Sequence, residues 1–275
     1  MSFRLRLRGA VRFAFPLSIL ALAAVLPPIG SGPAAAAEPA CRAQPALTRL
    51  SDRLPRVAAR LARHEPVTIV ALGSSSTAGA GASSPAAAYP QRFAARLAET
   101  LPGETVRVVN QGVNGETVVD MLARFDASVA AEKPDLVLWQ TGTNALLRGN
   151  SLASVRALVA GGIARMRALG ADVILIDPQY APAVLEKPAA HAMIALLAKM
   201  AKEGHADLFP RFAVMQGWHE QDGLPFSAFT VPDGLHMNDW GYGCFGRLLA
   251  DAVTEAATRR ATLAAAPEAT DLRVP

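Results

Sequence analysis

Apolar residues along this chain fall into two alternating patterns. Four short runs, Val67–Leu72, Thr105–Val109, Asp135–Trp139 and Asp172–Ile176, are apolar nearly throughout. They end respectively at Gly73, Asn110-Gln111-Gly112, Gln140-Thr141-Gly142 and Asp177-Pro178. Between them apolar positions recur at helical spacing, as with Tyr89, Phe93 and Leu97 in a helix predicted over 88–101. Further helices are predicted over 116–131, 151–169, 188–203 and 239–260, and Leu47, Leu50, Leu54, Val57 and Leu61 predict an amphipathic helix over 45–64. Runs that are apolar on both faces, separated by helices, are strands of a parallel sheet covered on both sides. The expected architecture is therefore a three-layer α/β/α sandwich. Ligands of such sheets bind beyond the carboxyl ends of the strands, so the polar segments after the first three runs should meet at one crevice.

The N-terminus follows neither pattern. Arg4, Arg6, Arg8 and Arg12 precede an apolar run from Phe13 to Leu26, and a small-residue stretch ends at Ala34-Ala35-Ala36-Ala37. A basic start, a short apolar middle and an A-x-A site describe a secretory signal peptide over residues 1–37. Pro16 interrupts the apolar run and Pro27-Pro28 close it, which disfavours a membrane anchor. Cys41 follows Glu38-Pro39-Ala40 rather than the apolar and small residues of a lipoprotein signal. The expectation is an exported, periplasmic or secreted protein with no stable membrane insertion after cleavage.

Removing that segment changes the charge reading. The full chain carries 27 Lys+Arg against 23 Asp+Glu, and the excess of four is those four arginines. The remaining 238 residues are formally neutral, which gives no support for a nucleic-acid partner. They are enough for one large domain. Residues 38–65 read as a lead with its helix, residues 66–262 as the main domain, and the Ala/Pro/Thr-rich residues 263–275 as a disordered tail. Cys41 and Cys244 are a candidate disulfide in an oxidising compartment, the alternative being two separate thiols.

The first strand end, Gly73-Ser74-Ser75-Ser76-Thr77-Ala78-Gly79-Ala80-Gly81, fits no phosphate-binding loop. It lacks the Lys-Ser/Thr of a Walker A loop and the spacing of G-x-G-x-x-G. Thr77 replaces the last glycine of G-x-S-x-G. A serine-rich turn remains. Far along the chain, Asp233-Gly234-Leu235-His236 sets a carboxylate three residues from an imidazole, just before the last helix. A hydroxyl becomes a nucleophile when a base accepts its proton, and the base needs a third group to fix its tautomer. Asp233 can do this locally for His236, and the fold must supply the serine.

Together these segments resemble the SGNH/GDSL hydrolase superfamily over residues 66–250. Val70-Ala71-Leu72-Gly73-Ser74-Ser75-Ser76-Thr77 is similar to its first block, which implies Ser75 as nucleophile. Asn110-Gln111-Gly112-Val113-Asn114-Gly115-Glu116-Thr117 resembles the second, Gly142-Thr143-Asn144 the third and Asp233-Gly234-Leu235-His236 the fifth. The resemblance implies the flavodoxin-like parallel sheet of that fold, a triad of Ser75, His236 and Asp233, and an oxyanion hole from the N–H groups of Ser75 and Gly115 and the Asn144 amide. No metal or organic cofactor is implied, because the triad supplies nucleophile and base. Two positions depart from the pattern. Ser74 stands where the family usually has Asp, and Ala145 where Asp often follows the third-block Asn.

The implied activity is a serine ester hydrolase removing acetyl or other short acyl groups from a glycan or small-molecule ester. The competing readings are a lysophospholipase or thioesterase acting on lipid, a polysaccharide O-acyltransferase, and a non-catalytic glycan-binding module. His64, His191, His205 and His219 have no metal-ligand spacing with nearby acids or cysteines. Trp218 and Trp240 are candidates either for stacking on sugar rings or for packing the last helix, and Tyr180 for the crevice wall. Asp177 is a rival for the orienting acid, with Asp233 preferred for its local pairing with His236.

Overall fold

The computed structural model describes residues 38–51 and 54–259. The expected leader over 1–37 and the expected tail over 263–275 lie outside the described residues. The described residues from Pro39 to Arg259 form a single unit.

In chain order the helices and strands are α1 (Pro55–Leu61), β1 (Val67–Gly73), α2 (Ser75–Ala78), α3 (Tyr89–Thr100), β2 (Val106–Gly112), α4 (Val118–Ala123), α5 (Phe125–Ser128) and β3 (Leu136–Gln140). They continue with α6 (Thr143–Leu147), α7 (Leu152–Ala168), β4 (Asp172–Ile176), α8 (Pro182–Leu185), α9 (Ala190–Glu203), β5 (Asp207–Phe209), α10 (Arg211–Gln216) and α11 (Asp239–Thr258). The described strands form one parallel sheet in the order β2-β1-β3-β4-β5. That order is flavodoxin-like, with the chain reversing direction across the sheet between β1 and β3. Helices α1, α3 and α11 pack together on one face, and α4, α7 and α9 on the other.

Every residue of β3 and β4 is buried, which accounts for their unbroken apolar runs. Each large aliphatic or aromatic side chain so buried contributes about 1.5–3 kcal/mol. Trp139 shows how tightly the layers meet. A Cβ on Gly162 of α7 would lie 2.3 Å from its ring, and its Nε1 donates to Met121 Sδ at 3.2 Å.

Several expected elements differ in detail. The single helix expected over 45–64 is a 3₁₀ turn at Pro45–Leu47 and then α1. Pro55 opens α1, and a residue preceding proline is disfavoured in helical conformation. Leu50, Leu54 and Val57 still face the core. The helix expected over 116–131 breaks at Arg124, whose guanidinium turns toward Glu116 and the Gln111 carbonyl. Strand β5 was not anticipated, because three residues carry too little pattern.

The lead wraps the α10–α11 side. Cys41 Sγ and Cys244 Sγ are at bonding distance, 2.08 Å. Arg42 pairs with Asp222, and Trp218 and Trp240 donate to the carbonyls of Arg42 and Pro39. Trp218 is fully buried, edge-on to Trp240, so its role is packing and not sugar stacking.

Two buried aspartates bracket β4. Asp172 Oδ2 accepts the Val57 N–H in the first turn of α1, and Asp177 Oδ1 accepts the Phe212 N–H in the first turn of α10. Burial pushes the Asp172 carboxyl up to about 6 and that of Asp177 up to about 7. Between pH 4 and pH 7 the unfolded chain has released the Asp177 proton while the folded chain still holds it. Raising the pH through that window therefore favours unfolding, by up to ~1.4 kcal/mol per pH unit for one group. Asp177→Asn is expected to lose less stability than the parent chain between pH 5 and pH 7. Equal slopes in urea-unfolding midpoints would refute this. Separately, the double variant Cys41→Ser/Cys244→Ser is expected to unfold about 2–5 kcal/mol more easily than the oxidised parent, as read by denaturant titration.

Candidate active site

The parallel register builds the site. Leu72 pairs with Trp139, so the next residues, Gly73 and Gln140, lie side by side where β1 and β3 end. Gly73 also pairs with Gly112 at the end of β2. At Gly112 a Cβ would lie 2.1 Å from the Ala78 amide nitrogen, so only glycine lets the nucleophile turn sit against β2.

Gln140, 1 % exposed, holds that turn. Its Oε1 accepts from Ser74 N at 3.0 Å, Ser74 Oγ at 3.1 Å and Thr77 Oγ1 at 3.2 Å. Asn110 ties the turn to β2 by donating to the Thr77 carbonyl at 2.9 Å. Ser75 is thereby placed as the first residue of α2, half-buried, with an N–H that has no partner in the helix's own ladder.

His236 reaches this serine from 161 residues away, its Nε2 lying 2.8 Å from Ser75 Oγ. Its Nδ1 lies 2.6 Å from Asp233 Oδ2. Asp233 Oδ1 also accepts the N–H groups of Leu235 and His236, at 2.8 and 2.9 Å. Partial burial alone would raise the Asp233 carboxyl, but the His236 side chain and these two amides together hold it below its ordinary value. An ionised carboxylate only accepts, so in the neutral imidazole the proton belongs on Nδ1, and Nε2 is free to accept from Ser75. Behind the base, Asn238 caps α11 by accepting the Gly241 N–H at 2.9 Å, and Asp239 accepts from Ser83 N at 2.8 Å in the loop after the nucleophile.

The third group comes from the β2 and β3 ends. Gly115 has φ +78°, in the left-handed region that favours glycine. Its loop is clamped by Arg124, which pairs with Glu116 at 2.6 Å and donates to the Gln111 carbonyl at 2.8 Å. Arg148 donates to the Gly115 carbonyl at 2.6 Å. Asn144 Nδ2 donates one hydrogen to the Glu116 carbonyl at 2.8 Å, which joins the second and third blocks and leaves its other hydrogen for a ligand.

Of the residues singled out from sequence, Ser75, His236 and Asp233 stand in one hydrogen-bonded row, and Asn144 at the start of α6 is bonded to the loop that carries Gly115. Asp177 does not join them; its carboxylate caps α10. Tyr180 donates to Glu220 at 2.7 Å within a ring cluster with Phe212 and Phe226. Gln140, Arg124 and Gln179 were missed. The available signal was a polar residue capable of several hydrogen bonds directly after a fully apolar run, as in Trp139-Gln140. Among the described residues no group of His, Cys, Asp and Glu is arranged to hold a metal ion, and no helix is long and apolar enough to cross a membrane.

Esterase TesA of Pseudomonas aeruginosa is 33% identical over 153 residues, covering 53% of this chain and 72% of the relative. An acetylxylan esterase of Geobacillus stearothermophilus is 33% identical over 98 residues, 30% of this chain and 43% of that one. A crystal structure of TesA superposes with a TM-score of 0.57 at 28% identity, covering 70% of this chain and 98% of that chain. A two-domain esterase active on acetylated mannans shares the fold, with a TM-score of 0.67 at 20% identity over 80% of this chain and 58% of its own. The model of the non-GDSL lipase-like family matches residues 40–259. With most of its length matched, the chain belongs to the non-GDSL lipase-like family, within the SGNH/GDSL-like hydrolase superfamily.

Proposed function

We propose that this ester hydrolase is an exported serine esterase in which Ser75, His236 and Asp233 remove acetyl or other short acyl groups from a carbohydrate. The observation that carries the reading is the continuous row Ser75 Oγ, His236 Nε2, His236 Nδ1 and Asp233 Oδ2, with spacings of 2.8 and 2.6 Å at its two hydrogen bonds. The chemistry follows from it. Ser75 attacks the ester carbonyl as His236 takes its proton on Nε2. Asp233 stabilises the imidazolium through Nδ1 without itself being protonated. The carbonyl oxygen gathers negative charge among the N–H groups of Ser75 and Gly115 and the second Asn144 amide hydrogen. His236 returns the proton to the leaving alcohol, and water repeats the sequence on the acyl-enzyme to release the acid and restore Ser75.

A carbohydrate substrate is supported by the 33% identity with an acetylxylan esterase, a segment covering 43% of that protein. Export is supported by the signal-peptide pattern of residues 1–37 and by a Cys41–Cys244 bond suited to an oxidising compartment. The same proposal takes residues 66–262 as the hydrolase domain and 38–65 as its lead. The lead extends into the region of family likeness, which begins at residue 40.

Ser75→Ala and His236→Ala are expected to lower kcat on p-nitrophenyl acetate by at least ~10⁴-fold, and Asn144→Ala by about 10²–10³-fold. Near-normal turnover by folded Ser75→Ala would reject the nucleophile. The parent enzyme is further expected to release acetate from acetylated xylo-oligosaccharides faster than it releases palmitate from its p-nitrophenyl ester. The reverse preference would favour a lipid substrate.

A further inference from the structure

Gln179 lies three residues beyond the end of β4 and is 1 % exposed. Its side chain touches three segments. Oε1 accepts from Thr143 Oγ1 at 3.0 Å and from Arg211 Nη2 at 2.9 Å, while Nε2 donates to the Leu235 carbonyl at 3.0 Å. Thr143 adjoins Asn144, and Leu235 adjoins His236. One short side chain therefore spans from the first turn of α6, which bears Asn144, to the segment bearing His236.

Its orientation is forced. A guanidinium only donates, so the amide oxygen must face Arg211 and the nitrogen must face Leu235. Arg211 is itself 0 % exposed and fixed by donating Nε to the Asp177 carbonyl at 3.0 Å. It cannot withdraw from Gln179 without leaving a buried charge short of a partner. The other end has less support: Asp233 is 47% exposed at its side chain, and Gly234 is held from the α8 side through a hydrogen bond from Ala183 N at 3.0 Å. The buried core thus reaches the half-buried segment from Gly234 to His236 through this amide, beside the backbone bonds from Val231 N to the His236 carbonyl at 2.9 Å and from Ala183 N to Gly234.

We propose that Gln179 is a positioning residue that sets where His236 stands relative to Asn144, and so aligns proton transfer with oxyanion stabilisation. This rests on the serine-esterase reading above. The prediction concerns turnover and not binding, since Gln179 is 1 % exposed and its amide is engaged by Thr143, Arg211 and Leu235. Displacing a base by a fraction of an ångström costs far more in kcat than in KM.

The test uses two substitutions of Gln179 and one of Thr143 in the full chain. Gln179→Met keeps length and removes all three hydrogen bonds. Gln179→Glu keeps the oxygen facing Thr143 and Arg211 and replaces the donor to Leu235 with a second acceptor. Both are expected to lower kcat on p-nitrophenyl acetate about 10- to 100-fold with KM within about threefold. In both, the downfield proton NMR signal of His236 Nδ1–H on Asp233 should broaden or vanish, a change that general loosening of the core would not cause selectively. Thr143→Val keeps the amide's hold on Leu235 and should lose less than either. If Gln179→Met fails to fold, Gln179→Glu decides. A folded Gln179→Glu with parental kcat and an unchanged imidazole signal would overturn the proposal. Fluorophosphonate labelling of the parent separates the two layers. Labelling at Ser75 with unaffected Gln179 variants removes this inference alone, whereas no labelling of the folded parent removes the serine-esterase reading and this inference with it.

Discussion

A parallel sheet buried on both faces leaves its strand ends as the places where backbone and loops must find hydrogen bonds without water. Here that constraint falls on the edge where β1, β2 and β3 finish together. The register that sets Gly73 against Gly112, and by extension beside Gln140, confines the nucleophile turn between two neighbours. The answer at this edge is an uncharged amide: one Gln140 oxygen takes three donors from the turn. The placement of Ser75 depends on that contact, and the reach of His236 is useful only because the serine is already fixed.

The two departures from the family pattern make sense in these terms. With Oε1 of Gln140 facing it, position 74 must donate, and Ser74 does so through both N–H and Oγ–H. A carboxylate there would confront an acceptor and require the amide to turn over, which would cost Thr77 its bond to the same oxygen. Ala145 lies in α6 at 3 % exposure. A carboxylate on it would be buried and would need a partner of its own. The substitutions exchange a charged arrangement behind the nucleophile for a neutral one while Ser75, His236 and Asp233 keep their row.

The sequence made the strands, the outer helices and the loops of the site legible because each carries a local signal: apolar runs, helical spacing, a D-x-x-H before a helix. It left Ser75 and His236 as separate suggestions, since nothing local says that residues 161 apart share a hydrogen bond. The family resemblance joined them before any geometry did. The helix break at Arg124 was illegible for a different reason. The break serves the Glu116 clamp and the Gln111 carbonyl, and such tertiary bonds override helix preference. Gln140 directly follows an apolar run, a signal that reads as the start of a loop until its partners are known, whereas Gln179, separated from β4 by Asp177-Pro178, carries no local signal.

Asp233 and Asp177 illustrate how environment, not residue type, sorts two carboxylates in one fold. Burial drives Asp177 up to about 7, so below that pH it is largely uncharged, and its Oδ1 serves by accepting the Phe212 N–H in the first turn of α10. Asp233, half exposed and fed by two amides and an imidazole, is held below its ordinary value. Only the second remains a dependable anion near neutrality, and only an anion can both fix the Nδ1 tautomer and favour the imidazolium during acyl transfer. The buried Asp177 works one step back: its carbonyl holds Arg211, Arg211 orients Gln179, and Gln179 holds the loop on which Asp233 meets His236. In the proposed mechanism the exposed Asp233 carboxylate stabilises charge, and the buried Asp177 supports the framework that places it, through its backbone carbonyl on Arg211 and its side chain on the start of α10.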